Sequence, residues 1–361
     1  MNLHYDRRPF LSGAAPKVAA AKLRFPDLLA LFSAPAPATP AADGALTALD
    51  NASEWLNSPP LTAAGLRGKV VLIDFWTYTC INWLRTLPYL RAWHRQYQAQ
   101  GLVLVGVHAP EFSFEHDLGN VQRAIQELGV DFPVAIDNDF GIWRAFDNQY
   151  WPAVYLLDGQ GRIRHQQFGE GNYHSLGPKI QELLQETGRN SSVEQPLPVV
   201  ARGIEAAADW GNLQSWETYV GHSHAKRFAS PEGKHLGEPY PYTAPAQLAP
   251  NHWALSGTWT MEPGAAQLNA PHGGISFRFH ARDLHLVMGT AVPDTPARFR
   301  VSLDGQPPGS GHGLDVDDQG NGTVTYPRLY QLIRQPETGS DHQFGVEFLD
   351  AGVKVFAFTF G

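Results

Sequence analysis

Apolar residues in the first half of the chain alternate between two patterns. Short, nearly continuous apolar runs rich in β-branched residues, at 69–76 and 102–109, predict central strands buried on both faces. Between and after these runs, apolar residues recur at helical spacing. This pattern predicts helices at 81–99, 120–129, 140–146 and 176–188, a short strand at 132–138 and a hairpin over 153–169. The alternation indicates an α/β domain with helices on both faces of a central sheet.

The pattern changes after about residue 195. Short segments of alternating apolar and polar residues follow one another, separated by turn signals such as Asp304-Gly305 and Asn321-Gly322. Six or more such strands predict an antiparallel β-sandwich or jelly roll. We therefore expect an N-terminal arm with a Pro/Ala linker over 1–44, an α/β domain over 45–190, a linker over 191–214 and a β-sandwich over 215–361.

Composition excludes several classes of function. Charged residues make up 17% of the 361 residues, the formal net charge is −8, and Lys and Arg form no cluster, so we expect no nucleic-acid partner. No apolar run reaches the roughly 18 residues that a membrane span requires. Cys80 is the single cysteine, which rules out an internal disulfide and a zinc site built from thiolates. We expect no metal and no cofactor.

The N-terminal arm has two interpretations. Arg7 and Arg8, followed by Phe10 and Leu11, are similar to a twin-arginine export signal, and a short apolar stretch with small residues suited to cleavage comes next. Charged residues interrupt this stretch, and the alternative is an arm without regular structure. The first interpretation predicts a periplasmic or exported protein, whereas the second is compatible with the cytoplasm.

The segment DFWTYTCINWLRTLP, residues 74–88, places Cys80 between a predicted strand and a predicted helix. A cysteine in the first turn of a helix faces unpaired backbone N–H groups and the positive end of the helix dipole. We therefore expect a lowered thiol pKa and a reactive thiolate. Dithiol redox proteins carry a second cysteine three residues later, where this chain has Trp83. Since an indole cannot attack a mixed disulfide, internal dithiol cycling is excluded.

This segment resembles the active site of the thioredoxin superfamily. Asp74-Phe75-Trp76 precedes the cysteine as in thioredoxins, Pro88 matches the proline that kinks the active-site helix, and Trp151-Pro152 lies in the segment that carries the cis-proline. The stretches 106–112 and 168–173 are similar to the redoxin branch that includes TlpA-like and DipZ-type proteins. The resemblance implies a thioredoxin fold with a central mixed sheet, followed by the carbohydrate-binding-like jelly roll of DipZ-type proteins.

The resemblance also implies which residues surround Cys80 and what roles they could have. Asp74 takes the position of the buried carboxylate that shuttles a proton in dithiol thioredoxins, but with Trp83 replacing the second cysteine we favour an inherited structural role. His108 and Glu111 follow the second buried strand, and either could act as an acid or base. Pro152 is predicted to face the sulfur as part of the catalytic set. The predicted residues of the substrate groove are Trp76, Tyr78, Trp151, Glu170 and Tyr173.

Three functions are compatible with a lone active-site cysteine. In the first, Cys80 is the nucleophile of a monothiol oxidoreductase and forms a mixed disulfide or sulfenic acid that an external thiol must resolve. In the second, it is the peroxidatic cysteine of a one-Cys peroxidase, since Thr77 gives the T-x-x-C spacing of peroxiredoxins. In the third, the fold has lost turnover and serves as a binding module. The expected partners are a thiol or disulfide protein, glutathione or peroxide.

Aromatic residues of the predicted sandwich raise the possibility of a second ligand. Aromatic rings bind sugars by stacking on their apolar faces. The candidates by residue type are Trp253, Trp259, Tyr326 and Tyr330. The alternative is that these residues belong to the core, and that the sandwich packs on the α/β domain and shapes its substrate groove.

Overall fold

The computed structural model describes residues 42–188, 198–336 and 339–361. Within 42–188, six strands form one mixed sheet of order β1-β4-β3-β2-β5-β6, in which β2, β3 and β4 are parallel. The strands are β1 (Glu54–Leu56), β2 (Val70–Trp76), β3 (Leu102–His108), β4 (Val134–Ile136), β5 (Ala153–Leu157) and β6 (Ile163–Phe168). The export-signal-like segment lies outside the described residues, and export stays a prediction.

Helices cover both faces of this sheet. They are α1 (Ala42–Thr47), α2 (Ala63–Leu66), α3 (Ile81–Tyr97), α4 (Leu118–Glu127), α5 (Gly141–Ala145) and α6 (Tyr173–Glu186). Alternate residues of β2 point to opposite faces: Leu72 and Trp76 join the core under α3, α4 and α6, while Ile73 and Phe75 join the core under α1, α2 and α5. The predicted thioredoxin fold is confirmed.

The second domain consists of strands that pair with one another in antiparallel fashion. They are β7 (Thr218–Tyr219), β8 (Pro239–Tyr242), β9 (Trp253–Met261), β10 (Ala266–Leu268), β11 (Gly273–Phe279), β12 (Asp283–Thr290), β13 (Ala297–Leu303), β14 (Asn321–Val324), β15 (Arg328–Arg334), β16 (His342–Phe348) and β17 (Val353–Phe360). The jelly-roll prediction is confirmed.

Strand β9 connects the two layers of this sandwich. Its first half pairs with β11, and from Gly257 onward it pairs with β8 and β10 instead. Gly257 has φ +87°, and a Cβ at this position would lie 2.7 Å from the Cα of Gly273. Only glycine fits such a bend, which lets one strand pass from one layer to the other. Between the layers, Phe358 packs on Phe277 and Phe344.

The two domains share a hydrophobic core. Phe356 of β17 lies against the rings of Phe112 and Phe114, with centroid distances of 5.4 Å and 4.6 Å. Four further sandwich residues, Ala265, Val287, Leu329 and Ala357, join the same core as α3 and α6. The sandwich is therefore packed against the α/β domain through a shared apolar interface.

The aromatic residues that we considered for sugar binding lie in the core of the sandwich or against the first domain. Trp253, Trp259 and Tyr330 are fully buried, because each points to the inner side of its strand. Tyr326 contacts the first domain: its hydroxyl donates to Glu127 Oε2 at 2.5 Å, and the Arg123 guanidinium lies 4.6 Å from its ring centroid. Since three of these rings are inaccessible and the fourth contacts the first domain, the alternative of a core and packing role fits all four, and nothing here supports sugar binding.

Across the described ranges, no helix is long and apolar enough to cross a bilayer. Within the same residues, no group of three or more His, Cys, Asp or Glu side chains is arranged to hold a metal ion.

Candidate active site around Cys80

Cys80 lies at the junction between β2 and α3, as predicted. It is the residue immediately before the helix: its carbonyl accepts the Leu84 N–H at 3.0 Å, and its own N–H donates to the Thr77 carbonyl at 3.3 Å. The Cys80 thiol donates to the Trp151 carbonyl, with an Sγ–O distance of 3.7 Å. The Trp151-Pro152 bond is cis. Cys80 is half-buried as a residue, and its sulfur sits between the start of a helix and the cis-proline segment.

The surroundings of the thiol oppose its ionisation. Burial raises the pKa of the Cys80 thiol well above its ordinary value, and the carboxylates of Glu111 and Glu217 raise it further. The backbone N–H groups of Asn82 and Trp83 lower the pKa but do not compensate. The expectation of a lowered pKa is therefore wrong, because the helix N-terminus is outweighed by desolvation and by two negative charges. At neutral pH the resting site holds a thiol.

Trp83 fills the position of the missing second cysteine as part of the core. Its side chain is fully buried, and its ring stacks on Trp76 with a centroid distance of 4.2 Å and an interplanar angle of 25°. The indole Nε1 donates to Asp74 Oδ2 at 2.8 Å. Where a dithiol site has its second thiol, this chain therefore has a side chain that packs in the core and donates a hydrogen bond.

Asp74 is fully buried beneath Trp83. Burial raises the pKa of Asp74 well above its ordinary value, while the hydrogen bond from Trp83 lowers it. Its second oxygen, Oδ1, has no hydrogen-bond partner among the described residues. An unfolded aspartate ionises near pH 4, so burying Asp74 costs stability above that pH. The contacts of Asp74 with Trp83 fit the structural role that we favoured.

The second domain contributes directly to the surroundings of Cys80. The Tyr219 hydroxyl of β7 donates to Glu111 Oε1 in a very short hydrogen bond and also lies 3.2 Å from Glu217 Oε2. Glu111 is half-buried and Glu217 is exposed. These are the two carboxylates that raise the pKa of Cys80. The sequence singled out Glu111, but not Glu217 or Tyr219, because their proximity to Cys80 depends on how the two domains dock.

Comparison with known proteins places this site in a family. The sequence profile of the AhpC/TSA family matches residues 40–166, and a profile described as a thioredoxin like C-terminal domain matches residues 215–361. The thiol-disulfide oxidoreductase YkuV of Bacillus subtilis is 31% identical over 133 residues, which are 37% of this chain and 89% of YkuV. The chain belongs to the thioredoxin superfamily.

The similarity to DipZ extends over both domains. Protein DipZ of Mycobacterium tuberculosis is 32% identical over 311 residues, which are 85% of this chain and 41% of DipZ. The chain thus spans about two fifths of the length of its DipZ relatives. Among solved structures, a thioredoxin-like protein in the oxidized form is 31% identical with a TM-score of 0.35, covering 37% of this chain and 90% of that chain. The predicted resemblance to the redoxin branch and to part of the DipZ-type proteins is confirmed.

His108 does not have the environment of an acid or base in this thioredoxin-superfamily site. It is fully buried, its ring lies near those of Trp76 and Tyr78, and neither ring nitrogen bonds another described residue. Burial, with a smaller effect of His116, lowers the pKa of His108 to about 3. The burial of His108 fits the alternative of a structural histidine at the end of a strand, and its role as an acid or base stays a prediction.

Glu115 is a buried carboxylate that the sequence did not reveal. Its Oε1 accepts the Thr79 hydroxyl at 2.6 Å, and its Oε2 accepts the N–H groups of Glu111 and Phe112 at 2.6 Å and 2.8 Å. Burial and then the charge of Glu111 raise the pKa of Glu115 to about 7. Glu115 therefore fixes the loop that carries Glu111. An acidic residue three positions after the start of a helical turn is the signal that could have identified it.

Thr77, which the sequence suggested as a peroxide-orienting residue, lies close to Glu115. The side chain is fully buried, and its hydroxyl lowers the pKa of Glu115. A peroxidatic threonine has to reach a peroxide beside the sulfur. Because the pKa of Cys80 is raised, the side chain also lacks the thiolate character that fast peroxide reduction requires. Both observations disfavour a peroxiredoxin-like role of Thr77, which stays a prediction.

Most of the predicted groove residues serve the core. Trp76 and Tyr78 are buried and therefore line no groove. Glu170 pairs with Arg85 at 3.0 Å, and Tyr173 stacks on Tyr89 with a centroid distance of 3.7 Å. The exception is Trp151, which is half-buried beside the sulfur and whose indole donates to the Ala109 carbonyl at 3.0 Å. The burial of Trp76 and Tyr78 fits the core better than a groove, whereas Glu170 and Tyr173 are half-buried and their place in the groove stays a prediction.

Proposed function

We propose that this protein is a monothiol thiol-disulfide oxidoreductase in which Cys80 is the nucleophile. The observation that carries the proposal is the position of the sulfur, between the first turn of α3 and the Trp151 carbonyl, in a chain without another cysteine. Its kinship with YkuV, which is named a thiol-disulfide oxidoreductase, supports the same chemistry.

The reaction proceeds in two exchange steps. The Cys80 thiol first loses its proton to water, and the thiolate attacks one sulfur of a partner disulfide. A bond forms between Cys80 and that sulfur, while the other sulfur leaves as a thiolate. An external thiolate then attacks the mixed disulfide, which regenerates Cys80 and leaves the external thiol joined to the substrate sulfur. Trp83 takes no part in the sulfur chemistry, and the external thiol replaces the second cysteine.

The raised pKa of Cys80 predicts a steep pH dependence. Because the thiolate fraction grows with pH until the pKa is reached, the rate of Cys80 alkylation by neutral iodoacetamide should rise about tenfold per pH unit from about pH 6 to about pH 9. A free cysteine levels off near its pKa of about 8.5. The same slope should appear when the protein accelerates the reduction of bis(2-hydroxyethyl) disulfide by a small thiol, and Cys80→Ser should abolish the acceleration. A plateau below pH 8 would contradict the assigned electrostatics.

The desolvated thiol favours a second candidate, a thioredoxin-fold binding module without turnover. In that function, partner polypeptides bind the face around Trp151 and no exchange occurs. The exchange assay separates the two candidates. A wild-type protein that accelerates exchange no better than Cys80→Ser would contradict the oxidoreductase and leave the binding module as the remaining candidate.

A further inference from the structure

We propose that Glu115 is a positioning residue for the reaction at Cys80. Its carboxylate joins the turn that presents the cysteine to the loop on which the second domain rests, and so holds the sulfur where a partner disulfide can be attacked. Glu115 is fully buried and therefore does not itself touch a partner. The inference rests on the proposed exchange chemistry at Cys80 and adds to it a residue on which the exchange rate depends.

One oxygen of Glu115 holds the turn that carries Cys80. The hydroxyl of Thr79, the residue directly before the cysteine, donates to Glu115 Oε1 at 2.6 Å. Both side chains are almost completely buried, so water does not compete for this hydrogen bond. The Cys80 N–H closes the same turn on the Thr77 carbonyl at 3.3 Å. The position of the sulfur at the start of α3 therefore depends on a bond to a residue from another part of the chain.

The other oxygen of Glu115 holds the loop that contacts the second domain. Its Oε2 accepts the backbone N–H groups of Glu111 and Phe112 at 2.6 Å and 2.8 Å. In the same loop, the rings of Phe112 and Phe114 pack on that of Phe356 in β17. One buried carboxylate thus connects, through direct hydrogen bonds, the turn before the active-site helix and the loop on which the sandwich docks.

The fold alone does not account for a charged group at this position. Burial raises the pKa of Glu115 to about 7, whereas an unfolded glutamate ionises near pH 4.3. The folded protein therefore loses stability as the pH rises from about 4.3 towards 7, because ionisation is easier in the unfolded chain. A buried group that costs stability near neutral pH is typical of a functional site. In return, its three short hydrogen bonds fix two segments in direction and distance.

The position of the sulfur matters more for disulfide exchange than for alkylation. Exchange brings three sulfur atoms into line, with a substituent on each side of the disulfide that must fit beside Trp151. Misplacing a reacting group by about 1 Å can slow a reaction roughly 100-fold. Iodoacetamide is smaller and has weaker demands on geometry. Since both reagents react with the thiolate, the ratio of their rates is independent of the thiol pKa.

The test measures this ratio for the full chain at about pH 8, above the pKa of Glu115. Intact-protein mass spectrometry gives the rate of adduct formation with bis(2-hydroxyethyl) disulfide, which is divided by the rate of alkylation by iodoacetamide. Glu115→Ala should lower the ratio about fivefold or more. Glu115→Gln should stay within about twofold of the wild type, because its amide oxygen can accept the two N–H groups and its amide nitrogen can donate to the Thr79 hydroxyl.

A second variant tests the same hydrogen bond from the side of the turn. Thr79→Val keeps the shape of the side chain and removes only the hydroxyl that donates to Glu115. It should lower the ratio about threefold or more, and adding it to Glu115→Ala should lower the ratio little further, since both changes break one interaction. This variant decides in place of Glu115→Ala if the latter does not fold.

The matched control is Asp158→Ala. Asp158 is also a buried carboxylate that fixes a turn, because its Oδ1 accepts two backbone N–H groups at 3.0 Å. It follows β5 at the end of the sheet away from Cys80, where Leu157 pairs with Val71. Urea unfolding of each variant reports its loss of stability. Asp158→Ala should lower the unfolding midpoint but leave the ratio at the wild-type value.

The possible outcomes distinguish this inference from the proposed function. If wild-type Cys80 forms no adduct with the disulfide, the proposed function itself has failed. If the adduct forms but Glu115→Ala keeps the wild-type ratio, Glu115 only stabilises the fold and the exchange chemistry stands. A ratio that falls as far in Glu115→Gln or Asp158→Ala as in Glu115→Ala would also overturn the inference, because charge or stability, and not the hydrogen bonds of Glu115, would then decide.

Discussion

Replacing Trp83 with cysteine is expected to create an internal disulfide between Cys80 and the new thiol, together with an insulin-reducing activity in the presence of a dithiol reductant. Positions 80 and 83 flank the first turn of α3, which is the spacing of a dithiol redox site. The substitution also removes the indole that donates to Asp74. The buried carboxylate would then lie beside a thiol whose proton it can accept.

This gain has a cost in stability. Trp83 is fully buried on Trp76, and truncation of a buried tryptophan typically destabilises a protein by about 3–5 kcal/mol. The reduced Trp83→Cys variant should therefore unfold at a clearly lower urea concentration than the wild type. Trp83→Ala is the matched control, since it opens a similar cavity without adding a thiol. If Trp83→Cys folds but mass spectrometry finds no internal disulfide under oxidising conditions, the geometry of a dithiol site has not been retained.

Replacing Arg85 with methionine should destabilise the protein strongly. Arg85 belongs to α3, five residues after the active-site cysteine, and is almost completely buried. Its Nη1 donates to Glu170 at 3.0 Å and its Nη2 donates to the Phe360 carbonyl of β17 at 2.9 Å. Arg85 thus links the active-site helix to the second domain. Removing one partner of a buried ion pair typically costs roughly 3–5 kcal/mol, because the other charge is left buried and uncompensated.

Urea unfolding of the wild type and of Arg85→Met would measure this loss of stability. Two further variants serve as a rescue and as a control. Glu170→Gln in the Arg85→Met background should recover part of the loss, since burial already raises the pKa of Glu170 and the neutral amide needs no counter-ion. Arg298→Met, which breaks an exposed pair with Asp350, should change the midpoint little. If Arg85→Met and Arg298→Met unfold at the same urea concentration, Arg85 does not link the domains energetically.

The sequence predicted most of the fold because local signals were strong. The apolar runs predicted at 69–76 and 102–109 correspond to β2 and β3 within one residue at each end, and the helix predicted at 81–99 corresponds to α3. The Trp151-Pro152 bond was predicted to lie beside the Cys80 sulfur, and the Trp151 carbonyl does accept the Cys80 thiol. Each of these features depends on residues that are close in sequence or on a motif with fixed spacing.

The electrostatics of the site could not be predicted in the same way. The start of a helix is visible in the sequence and indicates a lowered thiol pKa, but burial of Cys80 and the two carboxylates are properties of the folded chain. Glu217 and Tyr219 lie more than 100 residues from Glu111 and meet it only through domain docking. The residue type of Trp253 and Trp259 likewise does not show whether they are exposed for sugar binding or buried. In the folded chain both are fully buried in the core.

The fate of a Cys80 adduct tests the central claim most directly. Dilute wild-type protein is treated with cystamine, freed of excess reagent and followed by intact-protein mass spectrometry, with Cys80→Ser as the control that gains no adduct. We predict one mixed disulfide per chain, which persists in the absence of thiol because the chain holds no second sulfhydryl group, and which an external thiol removes with recovery of free Cys80. A native chain that stays unmodified until it is denatured, or an adduct lost without any added thiol, would contradict the account.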